Sequence, residues 1–311
     1  MLAPVLRTTL LGAARNDALR RVVTTSPATR PVVARFVAGE DLTAAVRAVR
    51  ELAGEGLRVC LDHLGEDTTS PAQARATVDA YRELFARLAA EGLAAGAEAS
   101  VKLSALGQAL PGGRRTSTDL AAELVAAAHE VGVLVTLDME GSGTVDATLG
   151  TLRELRARFP TVGGVLQAML RRTEDDCRDL AHPGSRVRLV KGAYAEPAAL
   201  AHQDRAEVDR AYVRCLRVLV EGGAHPMVAT HDLRLVRIAQ DLLSRAGRGP
   251  EGYEFQMLYG IRTAEQRGLV AQGAPVRVYV PYGTDWYGYF VRRLAERPAN
   301  VAFFLRSLTT R

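Results

Sequence analysis

The residues best suited to binding a charged small molecule lie near the C-terminus, between Trp286 and Glu296. Read as a helix, this segment places four polar side chains along one face, because residues three and four apart are neighbours. They are Tyr289, Arg292, Arg293 and Glu296. Two adjacent guanidinium groups can hold one carboxylate from two directions. The pattern therefore predicts a helix that binds an anion, and the alternative is a solvated basic face.

The composition describes an ordinary globular protein. The 311 residues are 48% hydrophobic and 24% charged, which supplies material for a large core and suits one α/β barrel. The net charge of +5 is dispersed and only 5% of the residues are aromatic, so a nucleic-acid partner is not expected. A basic chain suits anionic substrates or an anionic membrane surface.

Cysteine usage and hydropathy indicate the compartment. The three cysteines lack CxxC spacing, which is typical of reduced thiols in a cytoplasmic protein. No apolar run reaches the ~18 residues of a membrane-spanning helix. Residues 1–37 are rich in Arg and Ala and poor in acids. This pattern resembles a transit peptide, but the whole chain shares the composition, so N-terminal helices are the favoured interpretation.

From residue 57 onwards, short apolar runs alternate with helical patterns. We predict eight strands, at 57–62, 98–103, 133–138, 163–168, 187–191, 226–230, 253–258 and 276–280. We predict helices at 41–54, 71–91, 117–131, 145–158, 171–181, 204–222, 232–246, 262–272 and 285–308. Eight such units close into a (β/α)8 barrel at 57–311, preceded by a helical segment at 1–56 and with the final helix over the barrel mouth. An open doubly wound sheet is less favoured, because no GxGxxG follows the first strand.

Ionisable residues sit at the ends of several predicted strands, where active sites of barrels lie. Lys102 ends the second strand, and Asp138, which ends the third, is its expected partner. Arg188 and Lys191 flank the end of the fifth strand, and Gly192 follows. These cations could bind phosphate or stabilise a negatively charged ring, or they could form a salt-bridge network at the rim. A metal site is not expected, because the histidines are scattered.

Several stretches resemble the proline dehydrogenase family. They are Val101-Lys-Leu-Ser-Ala-Leu106, Leu137-Asp-Met-Glu140, Arg188-Leu-Val-Lys-Gly-Ala-Tyr194, Ala229-Thr-His231, Glu254-Phe-Gln256 and Tyr289-x-x-Arg-Arg-Leu-x-Glu296. The resemblance implies a barrel that binds FAD and oxidises L-proline to Δ1-pyrroline-5-carboxylate. It further implies that electrons pass to a membrane quinone at the inner face of the membrane, and that a separate pyrroline-5-carboxylate dehydrogenase takes the product.

The resemblance also assigns roles by position. Asp138 and Arg188 would be the active-site pair, Glu66 would close the site by pairing with Arg292, and Glu296 would orient an arginine. Proline would contact Lys102, Leu258, Tyr279, Tyr289, Arg292 and Arg293, and Tyr289 is the residue typical of proline-specific members. FAD would contact Met139, Gln167, Arg188, Lys191, Gly192, Ala193, Thr230 and His231.

Two other functions are compatible with the same residues. A barrel aldolase could form a Schiff base on Lys102 or Lys191, although the Arg292–Arg293 pair would then have no role. A barrel that binds an amino acid without catalysis would use the same cations and bind no flavin. A yellow protein that proline bleaches distinguishes the dehydrogenase from both alternatives.

Overall fold

The chain folds into a closed barrel of eight parallel strands in sequential order, which confirms the predicted fold. The computed structural model describes residues 29–66 and 68–296, with side chains up to Arg293. Every strand lies within two residues of its predicted bounds. The strands are β1 (Arg58–His63), β2 (Ala97–Val101), β3 (Leu134–Leu137), β4 (Gly163–Gln167), β5 (Arg186–Val190), β6 (His225–Ala229), β7 (Glu254–Leu258) and β8 (Val276–Tyr282).

Helices surround the barrel and alternate with its strands. They are α1 (Arg30–Ala34), α2 (Leu42–Gly54), α3 (Pro71–Ala90), α4 (Gly113–Glu130), α5 (Val145–Arg156), α6 (Thr173–Leu180), α7 (Arg205–Glu221), α8 (Leu233–Arg245), α9 (Thr263–Ala271) and α10 (Trp286–Glu296). Aspartate side chains cap several N-termini; Asp41 accepts the amide of Ala44 at 2.7 Å. Within the described ranges, no helix combines the length and apolarity needed to cross a bilayer.

Apolar packing lies between the strands and the helices around them. The large hydrophobic cluster includes Val59 and Leu61 of β1, Leu84 of α3 and Leu216 of α7, all buried. Helix α2 contributes Val46 and joins the same cluster. The division at residue 56 stays a prediction, since residues 1–28 lie outside the described part of the chain.

The inside of the barrel is charged. Arg188 on β5 contacts Cys60, Glu98, Asp138 and Gln256, which belong to or directly follow four other strands. These contacts can form only across the barrel interior. In most barrels branched apolar residues fill that space. Charged groups buried there must be paired, because an unpaired buried charge is costly. The pairing is described below because it positions the candidate site.

A second, smaller hydrophobic cluster attaches α10 to the N-terminal segment. Phe36 and Phe290 are buried in it, with ring centroids 6.2 Å apart. The indole of Trp286 donates to Glu40 at 2.7 Å. Nothing in the sequence pattern of residues 1–37 predicts this contact. Residues 32–40 therefore have a structural task, which is to hold the last described helix in place.

Gly260 shows how closely the N-terminal segment approaches the barrel. Its φ is +67°, and an added Cβ would lie 1.7 Å from the carbonyl oxygen of Arg35. We expect Gly260→Ala to lower the free energy of unfolding by more than about 1 kcal/mol, because both the backbone conformation and the contact oppose a side chain. Urea denaturation measures this change. Gly54→Ala is the matched control, since a Cβ there meets no atom within 4 Å. Equal stability of the two variants would contradict this account of the contact.

Candidate active site

Asp138, which directly follows β3, is held by three hydrogen bonds. Its Oδ1 accepts from Arg188 at 2.8 Å and from the Ser100 hydroxyl at 2.7 Å. Its Oδ2 accepts from the Tyr279 hydroxyl at 2.8 Å. The Arg188 guanidinium also lies over the Tyr279 ring, with its Cζ 5.5 Å from the ring centroid. Three strands thus fix both oxygens of one carboxylate at the barrel mouth.

Lys102 has a closer partner than the predicted one. Asp138 is within ion-pair distance at 3.7 Å, but the Lys102 ammonium donates to both oxygens of Asp62, at 2.8 and 2.9 Å. Asp62 lies on the adjacent strand, and the other donors already hold Asp138. Burial raises the pKa of Asp62, and Lys102 opposes that rise. Burial disfavours the charge on Lys102, yet the attraction of Asp62 and Asp138 raises the pKa of Lys102 above its ordinary value.

Arg292 of α10 makes a two-pronged ion pair with Glu66, at 2.6 and 3.0 Å. The contact predicted between these residues is therefore present. Glu66 also lies 3.8 Å from Lys102, so Arg292 joins the charged groups of the barrel mouth. The Arg293 guanidinium lies over the Tyr289 ring, 5.1 Å from its centroid. The side chain of Glu296 lies outside the described residues, and its predicted role stays a prediction.

These contacts form one connected network of opposite charges, which we call the charge chain; Lys102 is its branch point, with Asp138, Asp62 and Glu66 around it. It consists of Glu98, Arg188, Asp138, Lys102, Asp62, Glu66 and Arg292. The charge chain runs from a fully buried carboxylate inside the barrel to a partly exposed guanidinium on α10. The final arginine is the member most accessible to an incoming anion.

The predicted cofactor side of the mouth follows β3 to β6. Met139, Gln167 and Thr230 are buried there. The Gln167 amide donates to the carbonyl of Glu140 at 2.8 Å. The Leu258 amide donates to Nε2 of His231 at 3.0 Å, so the neutral imidazole carries its proton on Nδ1. This bond connects the end of β6 to Leu258, one of the predicted substrate contacts.

Lys191, Gly192 and Ala193 follow β5 on the same rim. The Lys191 ammonium binds Asp209, and it donates to Asp232 at 3.1 Å. Gly192 has a φ of +110°, and an added Cβ would lie 2.5 Å from Met169. The turn therefore requires glycine. An ammonium and a hydroxyl lie along this rim, and such groups suit an acceptor-rich ring bearing phosphates, so the residues are compatible with FAD.

Sequence reasoning assigned no role in the site to Asp62, Ser100, Glu98 and Gln256. The sequence does contain a signal for Glu98 and Ser100, which is their spacing relative to Lys102. Glu98, Ser100 and Lys102 alternate along β2, and residues two apart point to the same side of a strand. A lysine that faces the interior therefore implies that Glu98 faces it as well. Among the described residues, no group of three or more His, Cys, Asp or Glu side chains could hold a metal ion.

Comparison with known proteins places these residues in a family context. The family model described as Proline dehydrogenase matches residues 45–306. The chain is 41% identical over 280 residues to a Proline dehydrogenase of Deinococcus radiodurans, covering 88% of this chain and 89% of that protein. It is 36% identical over 284 residues to Proline dehydrogenase 2 of Bacillus subtilis, covering 90% and 91%.

A solved structure shares the architecture. Proline utilization A from Bdellovibrio bacteriovorus, inactivated by N-propargylglycine, superposes with a TM-score of 0.79 at 27% identity. The match covers 86% of this chain and 33% of that one, so the chain spans about a third of the larger protein.

The Lys102–Asp62 pair yields a stability prediction. We expect Lys102→Met to lower the free energy of unfolding by roughly 3–5 kcal/mol at neutral pH, because Asp62 loses its nearest cation. Burial already raises the pKa of Asp62, and loss of Lys102 raises it further. The folded variant then binds more protons than the unfolded chain, so the deficit should shrink as the pH falls from 8 towards 5. Urea denaturation across this range measures it. In the control variant Lys102→Met/Asp62→Asn the pH dependence should largely disappear, and its persistence would contradict the assignment to Asp62.

Proposed function

Because the chain belongs to the proline dehydrogenase family, we propose that it oxidises L-proline to Δ1-pyrroline-5-carboxylate with FAD as the electron acceptor. The observation that carries this proposal is the ion pair of Arg292 with Glu66 beside Lys102. It supports a site in which a cation already binds one carboxylate and can exchange it for another. Proline supplies that second carboxylate, together with a secondary amine and an apolar ring.

Arg292, Arg293 and Lys102 would bind the proline carboxylate by charge-assisted hydrogen bonds. Glu66 competes for Arg292, so substrate binding requires Glu66 to move away. The Glu66 side chain is 25% exposed, which lets water solvate its carboxylate once Arg292 is released. Glu66 is thereby a gating residue in this proposal. Leu258, Tyr279 and Tyr289 would form the walls around the pyrrolidine ring.

FAD, when bound, supplies the acceptor for the hydride that leaves C5 of the ring. Met139, Gln167, Lys191, Gly192, Ala193, Thr230 and His231 would hold it. The protein's main task is to align C5 with the acceptor and to exclude water. Arg188 would stabilise negative charge in the site by its field, since all five of its N–H groups already have acceptors.

Asp138 acts as an orienting acceptor in this mechanism. Arg188, Ser100 and Tyr279 donate to it, and Lys102 lies within ion-pair distance. Both carboxylate oxygens are thus engaged by donors of the protein, so in this proposal the substrate amine loses its proton to solvent before the hydride leaves. After the reaction, electrons pass on to a quinone, and a separate pyrroline-5-carboxylate dehydrogenase consumes the product.

The aldolase alternative is disfavoured by the surroundings of both lysines. A Schiff base requires a neutral amine. The pKa of Lys102 is raised by Asp62 against the effect of burial, and Lys191 contacts two carboxylates. Lys102 is therefore held as an ammonium ion, and the Lys191 amine is engaged in two ion pairs.

Flavin bleaching is the decisive test of the proposed reaction. The purified protein should be yellow, and L-proline under anaerobic conditions should bleach the flavin absorbance near 450 nm, since the hydride reduces the ring. D-Proline at the same concentration is the control. With its carboxylate bound by the same contacts, its opposite configuration would place C5 away from the hydride acceptor. Flavin-loaded, folded protein that L-proline does not bleach would rule out the proposal, and colourless protein that still binds proline would favour a binding barrel.

The two arginines of α10 should set the affinity for substrate. We expect Arg292→Met and Arg293→Met each to raise the KM for L-proline roughly 10- to 100-fold, the loss expected for one charged hydrogen-bond partner. FAD content should be unchanged. Arg115→Met is the matched control: this exposed arginine of α4 pairs with Asp119 at 3.0 Å, and its loss should leave the KM unaltered. An unchanged KM in both α10 variants would contradict a substrate-binding role and favour the alternative, in which this helix presents a solvated basic face.

A further inference from the structure

Glu98 is a buried carboxylate for which the mechanism above has no use. Its side chain is fully shielded from solvent inside the barrel. Oε1 accepts from Arg188 at 2.6 Å, and Oε2 accepts from Arg186 at 2.7 Å. Each oxygen thus serves a different arginine. Arg277 lies 3.9 Å away and gives its own hydrogen bonds to Glu254, so it is not the principal partner of Glu98.

The orientation of Arg188 depends on several acceptors around its plane. Nε donates to Gln256 at 2.5 Å, and one terminal nitrogen donates to Ser100 and Asp138 at 2.7 and 2.8 Å. The other terminal nitrogen donates to Glu98 and to the Cys60 sulfur, which is 3.1 Å away. Glu98 is the anion on the side of the guanidinium opposite Asp138. The two carboxylates therefore hold the guanidinium between them.

We propose that Glu98 is a positioning residue for proline oxidation, because it holds Arg188 in the orientation from which Arg188 fixes Asp138. The proposal rests on the proposed function, in which Asp138 and Arg188 form the active-site pair. Glu98 itself contacts neither substrate nor cofactor in this scheme. Its effect passes through one guanidinium to the carboxylate at the barrel mouth.

Glutamine cannot reproduce this arrangement even though it has nearly the same shape. A glutamine amide has one acceptor oxygen and one donor nitrogen, whereas Glu98 must accept from two arginines. One arginine would therefore face an N–H group in place of an oxygen. The Arg188 guanidinium would then turn to recover an acceptor, and its contact with Asp138 would lengthen.

Arg186 provides a matched control inside the same network. Arg186→Gln breaks the Glu98–Arg186 pair but leaves the Glu98–Arg188 pair in place. Glu98→Gln disturbs both. If Glu98 only balances the charge of Arg186, the two variants should lose activity equally. If Glu98 acts through Arg188, only Glu98→Gln should slow the reaction.

The experiment compares the rate of flavin bleaching by L-proline and the crystal structures of wild-type, Glu98→Gln and Arg186→Gln holoenzyme. We expect Glu98→Gln to lower kcat roughly 10-fold or more with little change in KM, as supporting partners of site residues commonly do. The Arg188–Asp138 distance should lengthen in its structure. Arg186→Gln should stay within about 2-fold of wild type. An unchanged rate and distance in Glu98→Gln, or equal losses in both variants, would overturn the proposal.

A double variant keeps the test decisive if Glu98→Gln does not fold. Glu98→Gln/Arg186→Gln removes one charge of each sign, so the barrel interior keeps its balance. It should fold and still bleach slowly, and a normal rate in folded double variant would overturn the role of Glu98. Failure of the proposed function is distinct, because wild-type holoenzyme would then not bleach at all. The Arg188–Asp138 distance would still decide the positioning claim.

Discussion

The structure depends on the pairing of charges inside the barrel. Among the described residues, the ion pairs there and at its mouth include five cations and five carboxylates: Arg186, Arg188, Arg277, Lys102 and Arg292 against Glu98, Glu254, Asp138, Asp62 and Glu66. A buried charge without a partner costs several kcal/mol, so each of these groups needs the others. The mouth of the barrel is therefore an extension of the network inside it.

Stability and function are supplied by different parts of the barrel. Buried ion pairs contribute little net stability, because desolvation offsets most of the attraction between the charges. The stabilising apolar burial lies between the strands and the surrounding helices, where residues such as Leu61, Leu84 and Phe255 pack in the large apolar cluster. The interior is then free to be polar. What the charges provide in return is a fixed geometry, since a guanidinium with five acceptors has few other orientations.

The sequence predicts the strands well because strand formation is local. Each strand is a short, largely apolar run, and helical patterns separate the runs. The ends of the strands likewise identify Lys102, Asp138 and Arg188. Pairing is not local, since it depends on which side chains meet across a closed barrel. Asp62 as the partner of Lys102, and Glu98 as the partner of Arg188, follow from strand register that no short stretch encodes. The contact between Trp286 and Glu40 spans 246 residues and leaves no local signal.

The mouth of the site is assembled from distant parts of the chain, and this constrains how it can open. Phe36 and Glu40 hold α10 from the N-terminal side, while Glu66 holds Arg292 from the loop after β1. The aromatic contacts of α10 are buried, whereas the Glu66–Arg292 pair is partly exposed. Release of that pair therefore costs less than movement of the helix. An incoming carboxylate that replaces Glu66 leaves Arg292 paired, so the charge network stays balanced while the loop acid moves into solvent.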